Sequence, residues 1–143
     1  MSLVVPQRSQ AHLLELIFGQ KQPEDLWVRL YINDWKPQDG DTTEQYTEMV
    51  GHHGYTPRRL AKEQWFIEPG ETPDSARALG DTVEWVFPRG GETKVYGYYI
   101  TGVHTGRLYW AERFPDGPYR IEFEHDRIRV LPKIVTKRLR EDI

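Results

Sequence analysis

Apolar and polar positions alternate most regularly between Lys94 and Phe114, KVYGYYITGVHTGRLYWAERF, where two runs rich in Val, Tyr, Ile and Trp flank a polar segment holding Gly102, His104 and Gly106. Val95 to Thr101 and Arg107 to Phe114 therefore predict the two strands of a β-hairpin. Neighbours in a strand point to opposite faces, so Leu108, Trp110, Glu112 and Phe114 share one face and Arg107, Tyr109, Ala111 and Arg113 the other. The first set reads as core. On the partner strand both faces carry aromatic rings, and a hairpin that is apolar on both sides turns one of them toward a subunit or ligand. Tyr96, Tyr98 and Tyr109 are on that basis candidate interface residues. Glu112 breaks the inward pattern. A buried carboxylate needs a cationic or hydrogen-bonding partner, and Arg29 is the partner this pattern nominates.

The same period recurs along the chain. Asp25 to Ile32 places Leu26, Val28, Leu30 and Ile32 opposite Trp27, Arg29 and Tyr31, a strand. NDWKPQDGDTTE is rich in turn formers and predicts a connection, with a single helical turn within Thr43 to Val50. A weaker strand is expected around Tyr55 to Ile67, a loop over PGETPDSARALG, and further strands at Thr82 to Phe87, Tyr119 to Glu124 and Arg127 to Val135, with PDGP and His125–Asp126 as reversals. The short connections in the second half predict an antiparallel meander.

Upstream the period changes. Ser9 is a plausible N-cap, Leu13, Leu14, Ile17 and Phe18 follow at helical spacing, and Gly19 supplies a stop, so residues 9–19 predict one short amphipathic helix behind a flexible arm at 1–8. The organisation expected is one domain, mainly β: an antiparallel β-sandwich, jelly-roll-like or a partly closed barrel, of about seven strands over 24–136, with a basic end at 137–143.

Composition narrows the chemistry. The 143 residues contain no Cys, which removes disulfides, thiolate zinc sites and a cysteine nucleophile together. The formal charge of -3 argues against a dedicated nucleic-acid binder, although six of the Lys and Arg residues fall between Arg127 and Arg140. No apolar run of signal-peptide or membrane-span length is visible. The five His do not form a metal motif: His52 and His53 are adjacent rather than spaced to converge, and His104 and His125 lie in predicted turns. Asp39, Asp41 and Glu44 lack the ligand spacing of a calcium loop and read as a solvated turn. There is no nucleophile elbow, and no phosphate-cradling glycine loop. Glu122 and Glu124 beside Arg120 read as a surface charge ladder. No catalytic residue, cofactor or metal is assigned.

Five Trp and eight Tyr favour β-structure and broad contact surfaces. The cluster Trp35, Trp65, Trp85, Tyr96, Tyr98, Tyr99, Tyr109 and Trp110 can be read as a sugar-stacking platform, or as core plus an assembly surface; the second reading is preferred because aromatics at alternating strand positions are mostly core.

The pieces LWVRLYINDWKP, GYTPRRL, TKVYGYYIT, GRLYWAERF and IRVLPKIV resemble a family of small β-rich proteins encoded by tailed bacteriophages, prophages and marine viral metagenomes. The resemblance runs from about Leu13 to Val135. It implies a non-enzymatic virion structural or assembly component, such as a head or tail accessory protein, found in the virion or host cytoplasm. The implied partners are copies of itself or other virion proteins; the charge disfavours nucleic acid as a partner, and the lack of a span-length apolar run disfavours a membrane. The alternative is a carbohydrate-binding module or small hydrolase on a β-sandwich.

Overall fold

The computed structural model describes residues 3–4, 23–70 and 75–137. Twelve strands occur among them: β1 (Leu3–Val4), β2 (Leu26–Tyr31), β3 (Arg58–Leu60), β4 (Trp65–Pro69), β5 (Ser75–Gly80), β6 (Val83–Val86), β7 (Thr93–Val95), β8 (Gly97–Gly102), β9 (Leu108–Arg113), β10 (Tyr119–Ile121), β11 (Arg127–Val130) and β12 (Lys133–Lys137). Two single 3-10 turns, Thr43–Gln45 and Lys62–Gln64, are the helical elements, and no α-helix occurs among the described residues. Every strand pairing is antiparallel. The helix expected over 9–19 lies outside the described residues, as does most of the basic end. Within the expected arm, Leu3–Val4 is a strand beside β9.

The excess over seven strands has local causes. Around Tyr55 to Ile67 a 3-10 turn splits the run into β3 and β4. At Leu131–Pro132 the last strand breaks into β11 and β12, since proline cannot donate to a ladder. The predicted loop SARALG is instead β5, held between β4 and β12 with backbone partners on both sides.

The meander is also corrected. Outside the predicted hairpin, which forms as β8 paired with β9, the strands of this half do not pair in a meander: β7 pairs with β10, β6 with β11 and β5 with β12. These pairs are nested about the turn at 103–107. Backbone hydrogen bonds bridge the gaps between them: Gly80 N–H to Pro132 O (2.8 Å), Phe87 N–H to Asp126 O (2.9 Å), Gly91 N–H to Glu122 O (3.0 Å) and Phe114 N–H to Tyr96 O (2.9 Å). The second half of the chain is thus one long two-stranded ribbon running out and back. At its tip β8 and β9 join β2, β3 and β1 in a five-stranded sheet ordered β1-β9-β8-β2-β3; at its base β4 extends the ribbon into a three-stranded sheet, β12-β5-β4.

One apolar core takes Val28 and Leu30 from β2, Tyr98 and Ile100 from β8, and Tyr109, Trp110 and Phe114 from β9 and its end. From the rest of the ribbon it takes Val83, Trp85 and Phe87, Val95, Ile121, Ile128 and Val130. These are the alternate positions of each strand, as the pleat requires. On β9 the alternation is broken. Ile100 faces Trp110 while Thr101 faces Leu108, so Tyr109 is an extra residue in the ladder. The bulge moves Tyr109 to the core beside Trp110 and sends Leu108 to the opposite face with Ala111, the reverse of the expected assignment.

That opposite face is closed by the chain's own connection between β2 and β3. Tyr31, Tyr46, Tyr99, Leu108 and Ala111 form a second apolar cluster with Trp35 and Tyr96 against it. The Tyr46 and Tyr99 rings stack with centroids 4.9 Å apart. Close packing here needs Gly97, because a Cβ at that position would run into the Glu112 carbonyl and the Tyr31 ring.

Candidate functional site

The proposed interface tyrosines separate. Tyr98 is 1% exposed and Tyr109 7%, both within the core of this chain, so neither offers a surface to a second copy. The two-sided aromatic character that nominated them is absorbed internally, one face by the ribbon and the other by residues 33–50. Tyr96 is half-buried, with the Arg113 guanidinium 5.2 Å from its ring centroid. Arg113 in turn reaches Asp34 at 2.6 Å.

Glu112 is half-buried rather than buried, and its hydrogen-bond partner is the Tyr98 hydroxyl at 3.1 Å. The nominated pairing with Arg29 does not form. Glu112 faces Tyr98, which faces Leu30, whereas Arg29 faces Tyr99; the two charged groups stand on opposite faces of the sheet. Burial, followed by the Glu112 charge, raises the Tyr98 phenol above the ordinary tyrosine range.

Arg29 instead anchors a network on the outer face. It donates to both Glu48 oxygens (2.9 and 3.0 Å) and to Thr101 Oγ1 (2.9 Å), while the Tyr55 hydroxyl donates to Glu48 (2.7 Å) and accepts from the Leu30 backbone N–H (3.2 Å). Burial first, then the hydrogen bond to Glu48, pushes the Tyr55 phenol up. Glu48 and Tyr55 are thereby tied to β2 and β8, which fastens the connection between β2 and β3 to the sheet.

Two further carboxylates work as clamps. Asp41, 6% exposed, accepts through one oxygen from Trp35 Nε1 (2.9 Å), Gln38 N–H (2.9 Å) and the Tyr46 hydroxyl (2.7 Å). The DGDTTE turn is therefore pinned inward at Asp41 and solvated at Asp39 and Glu44. Glu24 accepts from the backbone N–H groups of His104 (2.7 Å) and Thr105 (3.1 Å) and from the hydroxyls of Thr105 and Tyr109 (both 2.8 Å). Partial burial alone would raise its pKa; these donors outweigh that and hold it below the usual carboxylate range. Gly102 lets the carboxylate lie against the backbone of the ribbon tip.

The adjacent histidines differ in exposure, although their ring centroids lie 6.3 Å apart. His52 is exposed, while His53 is buried, donating from Nδ1 to the Arg89 carbonyl (3.0 Å), with Nε2 left to accept from Thr93 Oγ1 (2.7 Å). Among the described residues no group of three His, Asp or Glu is placed to hold a metal ion. No helix among them is long and apolar enough to cross a membrane.

The ring cluster gives a sugar no open platform: Trp85, Tyr98, Tyr99, Tyr109 and Trp110 are buried, and Trp35, Trp65 and Tyr96 are half-buried. The large apolar side chains that do reach solvent are elsewhere. Phe66 is 62% exposed and Ile67 74%, adjacent on β4 and so on opposite faces of the outermost strand of the three-stranded sheet. Sequence alternation missed them, because a strand with apolar residues at consecutive positions reads as an interior one. Compared with known proteins, the chain matches no family model, and no curated protein or solved structure is similar to it.

Proposed function

We propose that this protein is a structural subunit that works by associating with copies of itself, of the head or tail accessory kind that the bacteriophage resemblance implies. The observation that carries the reading is β4. A chain that folds its own Trp85, Tyr98 and Trp110 inside nevertheless leaves Phe66 and Ile67 in water at the end of a sheet. Exposed apolar side chains on an edge strand are a template for pairing. The nested pairings support a jelly-roll-like sandwich, since a jelly roll is a two-stranded ribbon folded over on itself. A core fed by both the five-stranded sheet and the β6–β11 pair is consistent with two packed layers. Such a body is suited to presenting edges and loops to neighbours, and its polar networks serve internal fastening rather than turnover.

Light scattering on the purified protein at several concentrations tests this. The expected result is a mass above the 16.9 kDa of one chain that rises with concentration. A monomer throughout would overturn the reading.

A further inference from the structure

Four strands end the two larger sheets: β1, β3, β12 and β4. β1 has two residues. β3 has only three residues, Arg58, Arg59 and Leu60; Arg59 is paired with Asp25, but the exposed Arg58 leaves a cationic charge on this short edge. β12 begins at Lys133 and ends at Lys137, and antiparallel self-pairing sets each lysine opposite the other copy's. Like charges directly opposite disfavour pairing, which is how natural sheets blunt their edges. β4, WFIEP, has no such guard, because its one charge, Glu68, is paired with Arg77 on β5.

The backbone of β4 is also turned the right way. Trp65 N–H donates to Lys62 O rather than to β5, and Pro69 has no N–H to give. Residues two apart in a strand direct their backbone groups to the same side, so Ile67, between them, turns its N–H and C=O away from β5. We propose, resting on the self-association reading above, that β4 pairs antiparallel with β4 of a second copy about a two-fold axis at Ile67. In that arrangement the two Ile67 residues exchange both backbone hydrogen bonds and their side chains meet. Phe66 of each copy lies opposite Glu68 of the other, so no like charges face each other. Two three-stranded sheets become one of six, and the most exposed large apolar side chain of the chain's described residues is covered by its own twin.

The chain's lack of cysteine makes the test direct. Residues facing across a hydrogen-bonded antiparallel pair have Cα atoms about 5.5 Å apart, within disulfide reach. Under mild oxidation Ile67→Cys is expected to give a covalent dimer much faster than Val50→Cys, a comparably exposed position outside the strands. Ile67→Lys, with its circular dichroism unchanged, is expected to lower the solution mass about twofold. If the wild type is larger than a monomer but Ile67→Cys cross-links no faster than Val50→Cys and Ile67→Lys leaves the mass unaltered, the β4 pairing is wrong while self-association stands. If the wild type is monomeric at every concentration, both fall.

Discussion

Removing the Glu24 carboxylate isolates the contribution of the ribbon tip. Four donors converge on it, two of them backbone N–H groups of the turn that joins β8 to β9. A hydrogen bond to a charged group is worth about 1.5–3 kcal/mol when shielded. Glu24 is only partly buried and the turn N–H groups can rehydrate, so solvent screening reduces this to about 0.5–1 kcal/mol per bond. Glu24→Ala is therefore expected to cost about 2–4 kcal/mol, a fall in Tm of roughly 6–13 °C for a chain of this size. Glu24→Gln, which keeps the shape and loses the charge, is expected to cost about 1 kcal/mol. The pH dependence has a definite sign. A carboxylate whose folded pKa is depressed contributes fully above its unfolded value of about 4.3 and loses that contribution as pH falls through the folded value. The gap between wild type and Glu24→Gln should accordingly be constant near neutrality and close in acid. Urea titrations at a series of pH values, with a double-mutant cycle against Tyr109→Phe, measure both effects; the cycle should return a coupling of about 1 kcal/mol. A Glu24→Ala protein within about 0.5 kcal/mol of wild type at neutral pH, with Tyr109→Phe strictly additive, would refute the clamp.

Two other substitutions follow from the same geometry. Glu48→Leu leaves the Arg29 guanidinium and the Tyr55 hydroxyl without their shared acceptor and should cost about 2–3 kcal/mol, whereas Arg29→Met combined with Glu48→Leu should cost less than Glu48→Leu alone; denaturant midpoints decide between these orders. Gly97→Ala forces a methyl group against the Glu112 carbonyl and the Tyr31 ring and should destabilise by about 2–4 kcal/mol, read from urea unfolding followed by tryptophan fluorescence.

The residue pattern reached some of these features and missed others for identifiable reasons. β2, β6, β8 and β11 were visible because Val28 and Leu30, Val83 and Trp85, Tyr98 and Ile100, and Ile128 and Val130 recur at the pleat period and enter the core. β5 was not, because Ala76, Arg77, Ala78 and Leu79 carry no strand preference of their own; two flanking ladders impose the conformation. The inversion of Leu108 and Tyr109 depends on one bulged residue, which a period-two reading cannot contain. The partner of each strand was hidden for a different reason. Alternation reports which face a residue takes, whereas the nesting of β5 with β12 and β6 with β11 joins segments some fifty residues apart. Glu112 is half-buried and its partner is Tyr98, the residue directly across the ladder, whereas Arg29 stands on the other face of the sheet beside Tyr99, where a pairing with Glu112 is out of reach. Asp41 looked solvated from composition alone and is held inside by Trp35 and Tyr46.

The out-and-back course of residues 75–137 also constrains the order in which the molecule can assemble. Closing a short loop costs less entropy than closing a long one, so zipping is cheapest from the 103–107 turn outward, with β7–β10, β6–β11 and β5–β12 following in sequence as each earlier closure shortens the gap left for the next. On the ribosome the outgoing half, including the apolar runs of β6 and β8, emerges well before the strands that will cover it. Completion of this sheet therefore waits for β12, and a nascent chain halted before Lys133 leaves one edge of β5 open to whatever is near.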